Sequence, residues 1–154
     1  MPMQLRVWST VLGFLVIALA LTPSRALGDH HLPAGAAFNV RTLQTLDTES
    51  AWPGMRVQAV VDDPVILRGR IILPRGAPAR LEVVDVTPSS IMDGPAHITL
   101  RVLWLESRDR VSWVDSNEVQ FTGILGGAGT GQTHLRVPAE ARMQFQLNTC
   151  VQVE

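Results

Sequence analysis

Residues 142–153 read RMQFQLNTCVQV, and this stretch decides the fold class. Met143, Phe145, Leu147, Thr149, Val151 and Val153 fall on one side of a period of two; Arg142, Gln144, Gln146, Asn148, Cys150 and Gln152 fall on the other. That alternation is the signature of a β-strand with one face buried and one face wet. Shorter versions recur upstream. Phe38 and Val40 alternate with Asn39 and Arg41, and Met55, Val57, Ala59 and Val61 with Arg56 and Gln58. Ile98, Leu100, Val102 and Trp104 alternate with His97, Thr99, Arg101 and Leu103. Val111 and Trp113, then Val119 and Phe121, continue the pattern. No window beyond residue 28 carries a 3.6-residue period. The expectation is an all-β domain over residues 29–154, a small barrel or sandwich of about seven to eight strands.

Between the strands lies a repeated punctuation. Leu32-Pro33-Ala34-Gly35, Leu73-Pro74-Arg75-Gly76 and Val137-Pro138-Ala139-Glu140 each set an apolar residue and a proline before a turn and an alternating run. Trp52-Pro53-Gly54 is a further turn signal, with Pro setting φ and Gly permitting positive φ. Proline at the first residue of a strand is tolerated because its missing N–H need not join the ladder. The motif therefore reads as a structural device that starts strands and sets their phase. Glu140 stands where the other copies have glycine, so the third turn is expected not to need positive φ. Val65-Ile66-Leu67 and Ile71-Ile72-Leu73 flank Arg68-Gly69-Arg70, a hairpin centred on Gly69. The inward phase of Leu81 and Val83 gives way to Val84 and Val86, which predicts a bulge. Residues 45–51 read as a polar loop, and Trp52 as a core plug.

The first 28 residues have the layout of a signal peptide: Arg6, an apolar run from Val11 to Leu21, Pro23, then Ala26-Leu27-Gly28. The apolar run is about half the ~20 residues of a spanning helix. The expected location is periplasmic or secreted, with membrane contact only through the transient signal. Residues 29–154 keep 11 arginines and all 14 acids, a net charge of −3. That balance lacks the basic surface a nucleic-acid binder needs. The single cysteine, Cys150, leaves no partner for an internal disulfide. On the polar side of the last strand it is a candidate intermolecular thiol.

The chemistry-bearing motifs are absent. GILGGAGTG at residues 123–131 has neither the lysine nor the following helix of a phosphate loop. It reads as a flexible hairpin loop and the most plausible binding surface. No G-x-S-x-G elbow or H-E-x-x-H occurs. His30, His31, His97 and His134 have no serine or acid at a motif spacing, although such groups meet in space rather than in sequence. The His30-His31 pair near a new N-terminus has copper or nickel chemistry available but reads as a solvated terminus. Asp62-Asp63 before Pro64 reads as a turn cap rather than a carboxylate pair, since adjacent strand residues face opposite ways. No catalytic residue, cofactor or metal site is expected.

The set 32–35, 52–54 and 68–76 resembles small exported bacterial β-domains that read roughly IPAG…PG…G…IPxG and end on another PAG strand. The layout is similar to the C-terminal β-barrel domain of TrbI-type scaffold subunits of conjugation and type IV secretion machines, over about residues 32–153. The resemblance implies a periplasmic barrel that packs in a ring. Such scaffolds insert a helical antenna between strands, for which residues 123–131 are too short. The expected function is a non-catalytic envelope domain with a binding or structural role, its partner another envelope protein or a second copy. The alternatives are a subunit of a secretion or conjugation assembly, or a small-ligand or glycan binder using Trp52, Trp104 or Trp113.

Overall fold

The structure, a computed structural model, describes residues 31–90, 94–108, 110–123 and 134–153. The expected signal peptide at 1–28, His30, and residues 124–131 of the glycine-rich stretch lie outside the described residues. The fold is all-β. Seven strands form the main sheet: β2 (Ala37–Thr42), β4 (Arg56–Val61), β7 (Pro78–Thr87), β8 (His97–Ser107), β9 (Arg110–Trp113), β10 (Val119–Thr122) and β12 (Arg142–Gln146). Their order is β10-β8-β7-β4-β2-β12, with β9 also paired to β8. Every pairing is antiparallel. The sheet curls into a half-barrel. Its two ends are joined by an isolated bridge, Ser116 to Leu147. Beside it the Asn117 N–H donates to the Gln146 carbonyl and the Asn148 N–H to that of Asp115.

Three two-stranded ladders complete the domain: β1 (His31–Leu32) with β13 (Val151–Gln152), β3 (Leu46–Asp47) with β11 (Arg136–Val137), and β5 (Val65–Leu67) with β6 (Arg70–Leu73). Each sends buried side chains into the same core: Leu32 and Val151, Leu46 and Val137, Ile72 and Leu73. Main-sheet residues Val40, Val57, Leu81, Leu100 and Phe145 fill the rest. Phe38 and Phe145, directly opposite in register, stack with ring centroids 6.2 Å apart. The expected hairpin at Gly69 is present. Arg68 and Gly69 are both left-handed (φ 51° and 76°), as a two-residue type I′ loop requires.

Four turns share one construction. The carbonyls of Pro33, Trp52, Pro74 and Pro138 accept from the N–H groups of Ala36, Met55, Ala77 and Ala141, three residues on. The third residue of each turn is left-handed: Gly35 (φ 82°), Gly54 (88°), Gly76 (84°) and Glu140 (69°). The residue before it is not, so these are type II turns. Each left-handed residue then donates its N–H across to a neighbouring strand, at Leu147, Val83, Val61 and Thr42 respectively. Those four residues return a bond to the carbonyl of the next turn residue. Two residues thus oppose one, the bulge class built on a left-handed first residue. β2 and β12 carry this device on each other's ends, and so do β4 and β7. The expectation for Glu140 is therefore corrected. The third turn does require positive φ, because its N–H is committed to Thr42, and a non-glycine residue is held there.

Three further corrections follow from register. The last strand is two strands: residues 148–149 bend, Thr149 is exposed, and β13 leaves for a different sheet. Residues 45–51 contain β3 before the turn, because Leu46 is drawn into the core opposite Val137. In β8, pairing shifts between Arg80 and Leu81 so that Leu103 is unmatched. Leu105 goes in and Trp104 faces out. The bulge expected near Val84 is present as a second shift, between Val83 and Asp85.

Glu140→Gly and Glu140→Ala both remove the carboxylate, but only the glycine variant relieves the left-handed backbone. The glycine variant should be the more stable of the two by about 1 kcal/mol. Urea denaturation measures the difference, and equal midpoints would show that this turn stores no strain.

Candidate functional site

The outer face of the half-barrel carries a stripe that crosses β4, β7, β8 and β9. Register places Gln58 beside Arg80, Arg80 beside Trp104, and Trp104 beside Trp113. Trp104 is half-buried and Trp113 is 67% exposed. The Arg80 guanidinium lies over the Trp104 ring, its carbon 5.5 Å from the centroid. Such a stack is worth about 0.5–1 kcal/mol at an exposed site and orients both partners. One row away, Arg101 donates through Nε and a terminal nitrogen to Glu82 (2.9 and 2.6 Å). This pair ties β7 to β8 beneath the stripe. The local cause of the stripe is the bulge that frees Leu103, since without it Trp104 would point into the core. With strands about 4.8 Å apart, Arg80 to Trp113 spans about 10 Å. The surface offers two aromatic faces and guanidinium donors, and so suits stacking and hydrogen bonding.

Trp52 is also outside the core, 60% exposed, which corrects its reading as a plug. It occupies the first position of a type II turn whose bonds to Val83 are made by Gly54 and Met55, and these leave its side chain uncovered.

A second constellation centres on Asp62, 1% exposed. Arg41 and Arg142 face each other across the β2–β12 ladder, a like-charge pair that would repel. The Asp62 carboxylate sits between them, 3.4 Å from Arg41 Nε and 3.0 Å from Arg142 Nε, with Arg75 at 3.7 Å. Neither carboxylate oxygen has a partner in hydrogen-bond geometry, so the attraction is Coulombic. Arg41 also pairs with Glu140. Asp63 turns away to accept from Asn39 Nδ2 at 2.8 Å. The two carboxylates thus face apart as expected, but Asp62 is an ion-pair hub rather than a turn cap. Asn39, Asp62, Asp63, Arg142, Met143 and Gln144 line a cleft of about 270 Å³ here.

The turn residues Pro33, Gly35, Pro53, Gly54, Gly69, Pro74, Gly76 and Pro138 stand at chain reversals. No added Cβ at Gly35, Gly54, Gly69 or Gly76 would meet an atom within 4 Å, so their need is conformational. Cys150 is exposed, just past the bend that ends β12. His97 Nε2 lies 2.8 Å from Asp85 Oδ2, and the Thr87 hydroxyl that joins this pair donates to Asp85, not to His97. Sequence reasoning missed the Asp62 hub because it depends on register between strands far apart in the chain, and the outward Trp104–Trp113 pair because it depends on the bulge between β7 and β8.

No known protein family, curated protein or solved structure gives a match to this chain.

Replacing Asp62 with Asn should cost about 1–3 kcal/mol. That is less than for a fully buried pair, because the arginines left behind reach solvent. Arg142→Gln should cost under about 1 kcal/mol, since the Arg142 side chain is 68% exposed. Chemical denaturation of both variants checks the asymmetry, which an incidental Asp62 would not show.

Proposed function

We propose that this chain is a non-catalytic β domain of the bacterial cell envelope that acts by binding another envelope protein through the Arg80–Trp104–Trp113 stripe. The observation that carries this reading is Trp113, left 67% exposed next to a second tryptophan and an ordered arginine. Exposed apolar rings cost hydrophobic free energy in the free domain, and a partner that covers them recovers it. Tryptophan and arginine are the residues most enriched among those that dominate protein–protein binding energy. Export rests on the signal-peptide pattern of residues 1–28, and placement in the periplasm or outside the cell rests on that pattern alone.

A glycan or small-ligand module is the second reading, favoured by the same rings, because an exposed indole such as that of Trp113 can stack on a sugar face. The narrower reading, a subunit of a secretion or conjugation assembly, is supported by the resemblance of the turn motifs to TrbI-type barrels.

The test is crosslinking and recovery of the full chain from its native envelope, with wild type beside Trp113→Ser. Wild type should retain a protein partner and the variant should lose it at least tenfold, while the urea midpoint stays within about 0.5 kcal/mol. Equal recovery by both would reject the stripe as the contact surface. Loss of recovery together with saturable quenching of wild-type tryptophan fluorescence by envelope glycan would move the assignment to the second reading.

A further inference from the structure

The β3–β11 ladder brings together three side chains that nothing in the sequence pattern connects. Arg136 pairs with Asp47 and Val137 with Leu46. One step on, the Thr48 N–H donates to the Leu135 carbonyl at 3.1 Å, and the Leu135 N–H donates to Thr48 Oγ1 at 3.2 Å. The ladder therefore runs out with His134 beside Glu49. Asp47 ends β3, and Glu49 lies in the turn that follows it. One Asp47 carboxylate oxygen accepts the Glu49 N–H at 3.0 Å, and the Asp47 carbonyl accepts from Ser50 and Ala51. These bonds fold residues 47–51 into a turn that holds both carboxylates near the imidazole. His134 Nε2 lies 3.1 Å from Glu49 Oε1. One donor atom each from Asp47, Glu49 and His134 lies within 4.8 Å of the other two.

We propose that Asp47, Glu49 and His134 form a binding site for a divalent transition-metal ion, with zinc the best fit. The donor set is one imidazole and two carboxylates, which suits zinc and leaves its fourth position to water. Bonds of about 2.0–2.2 Å in a tetrahedron put donor atoms about 3.3–3.6 Å apart. One pair is already at 3.1 Å, and the others, within 4.8 Å, close by side-chain rotation of the exposed Glu49 and His134 toward the half-buried Asp47. Two carboxylates neutralise the ion, and the ion relieves the repulsion between them. Magnesium is a poorer occupant, because it requires near-octahedral oxygen coordination and does not favour imidazole. Arg136 stands opposite Asp47 in register, and its positive charge opposes the ion. The affinity is therefore set by a balance that a single substitution can tip. A bound ion would staple the end of β3 and its turn to the segment leading into β11, linking segments more than eighty residues apart in sequence. The site is independent of the tryptophan stripe and of the partner proposed for it.

The experiment is titration of the untagged full chain with zinc chloride, by calorimetry and by competition with a chromophoric chelator. Wild type should bind one equivalent. His134→Ala and Glu49→Gln should each weaken binding by ~10-fold or more, with unchanged circular dichroism. Arg136→Gln should tighten it, an effect that a site elsewhere would not show. Zinc should raise the thermal midpoint of wild type and not that of His134→Ala, since only the folded site binds. Because His30 and His31 offer an alternative pair of imidazoles, their double alanine variant should bind as wild type does. Failure of wild type to bind, wild-type affinity in His134→Ala, or loss of binding in the His30/His31 variant would each overturn the assignment.

Discussion

The structure depends on a left-handed residue in each of four turns. Left-handed backbone is costly for ordinary residues, at about 1–2 kcal/mol each, and nearly free for glycine. Gly35, Gly54, Gly76 and Glu140 accept that geometry because the N–H it presents reaches the facing strand. The same residue ends a turn and begins a bulge, so chain reversal and strand pairing are decided in one place. β2 with β12, and β4 with β7, are clamped this way at both ends. Four adjacent strands of the half-barrel are thereby held in register. The core that fills their concave side, Val40, Val57, Leu81 and Phe145 among others, then packs without a choice of phase.

Glu140 shows what the surroundings can impose. Its backbone is bound to Thr42 and Ala141 to the carbonyl of Pro138, while its side chain pairs with Arg41. Arg41 in turn belongs to the Asp62 hub, as does Arg75 from the turn that carries Gly76. Two of the four turns are thus wired electrostatically to one buried carboxylate at the end of β4. A buried charge is expensive to desolvate and is tolerated only among compensating charges. Asp62 has three cations around it because register puts Arg41 opposite Arg142 and the Gly76 turn adds Arg75. The hub is the price of that like-charge pair as much as a source of stability.

The tryptophan face is a by-product of irregularity. Were β7 and β8 to pair without a bulge, Trp104 would continue the inward series of Ile98, Leu100 and Val102. One unmatched residue, Leu103, reverses the phase and delivers an indole to the outer face beside Trp113 and Arg80. A bulge that re-aims a side chain is a recurrent feature of functional surfaces on β-sheets. The β3–β11 ladder does for Asp47, Glu49 and His134 what the β7–β9 region does for the tryptophans. Each gathers on one surface side chains that local pattern does not connect.

The fold class was legible because period-two alternation is a local property, and the strands around Val57, Leu81 and Met143 all display it. The turn residues were legible for the same reason: proline and glycine act on their own φ, whatever lies around them. The hairpin at Gly69 and the phase switch at Val84 needed no more than that. What the sequence could not contain was register between distant strands. Whether Trp104 faces in or out depends on a bulge opposite Arg80, and whether Asp62 caps a turn or balances three arginines depends on the β2–β12 pairing. The left-handed φ of Glu140 is likewise imposed by a hydrogen bond to Thr42, on a strand almost a hundred residues earlier. Local sequence determined the elements and their punctuation, while tertiary pairing decided which side chains meet, because contact across a sheet is set by alignment between strands and not by order along the chain.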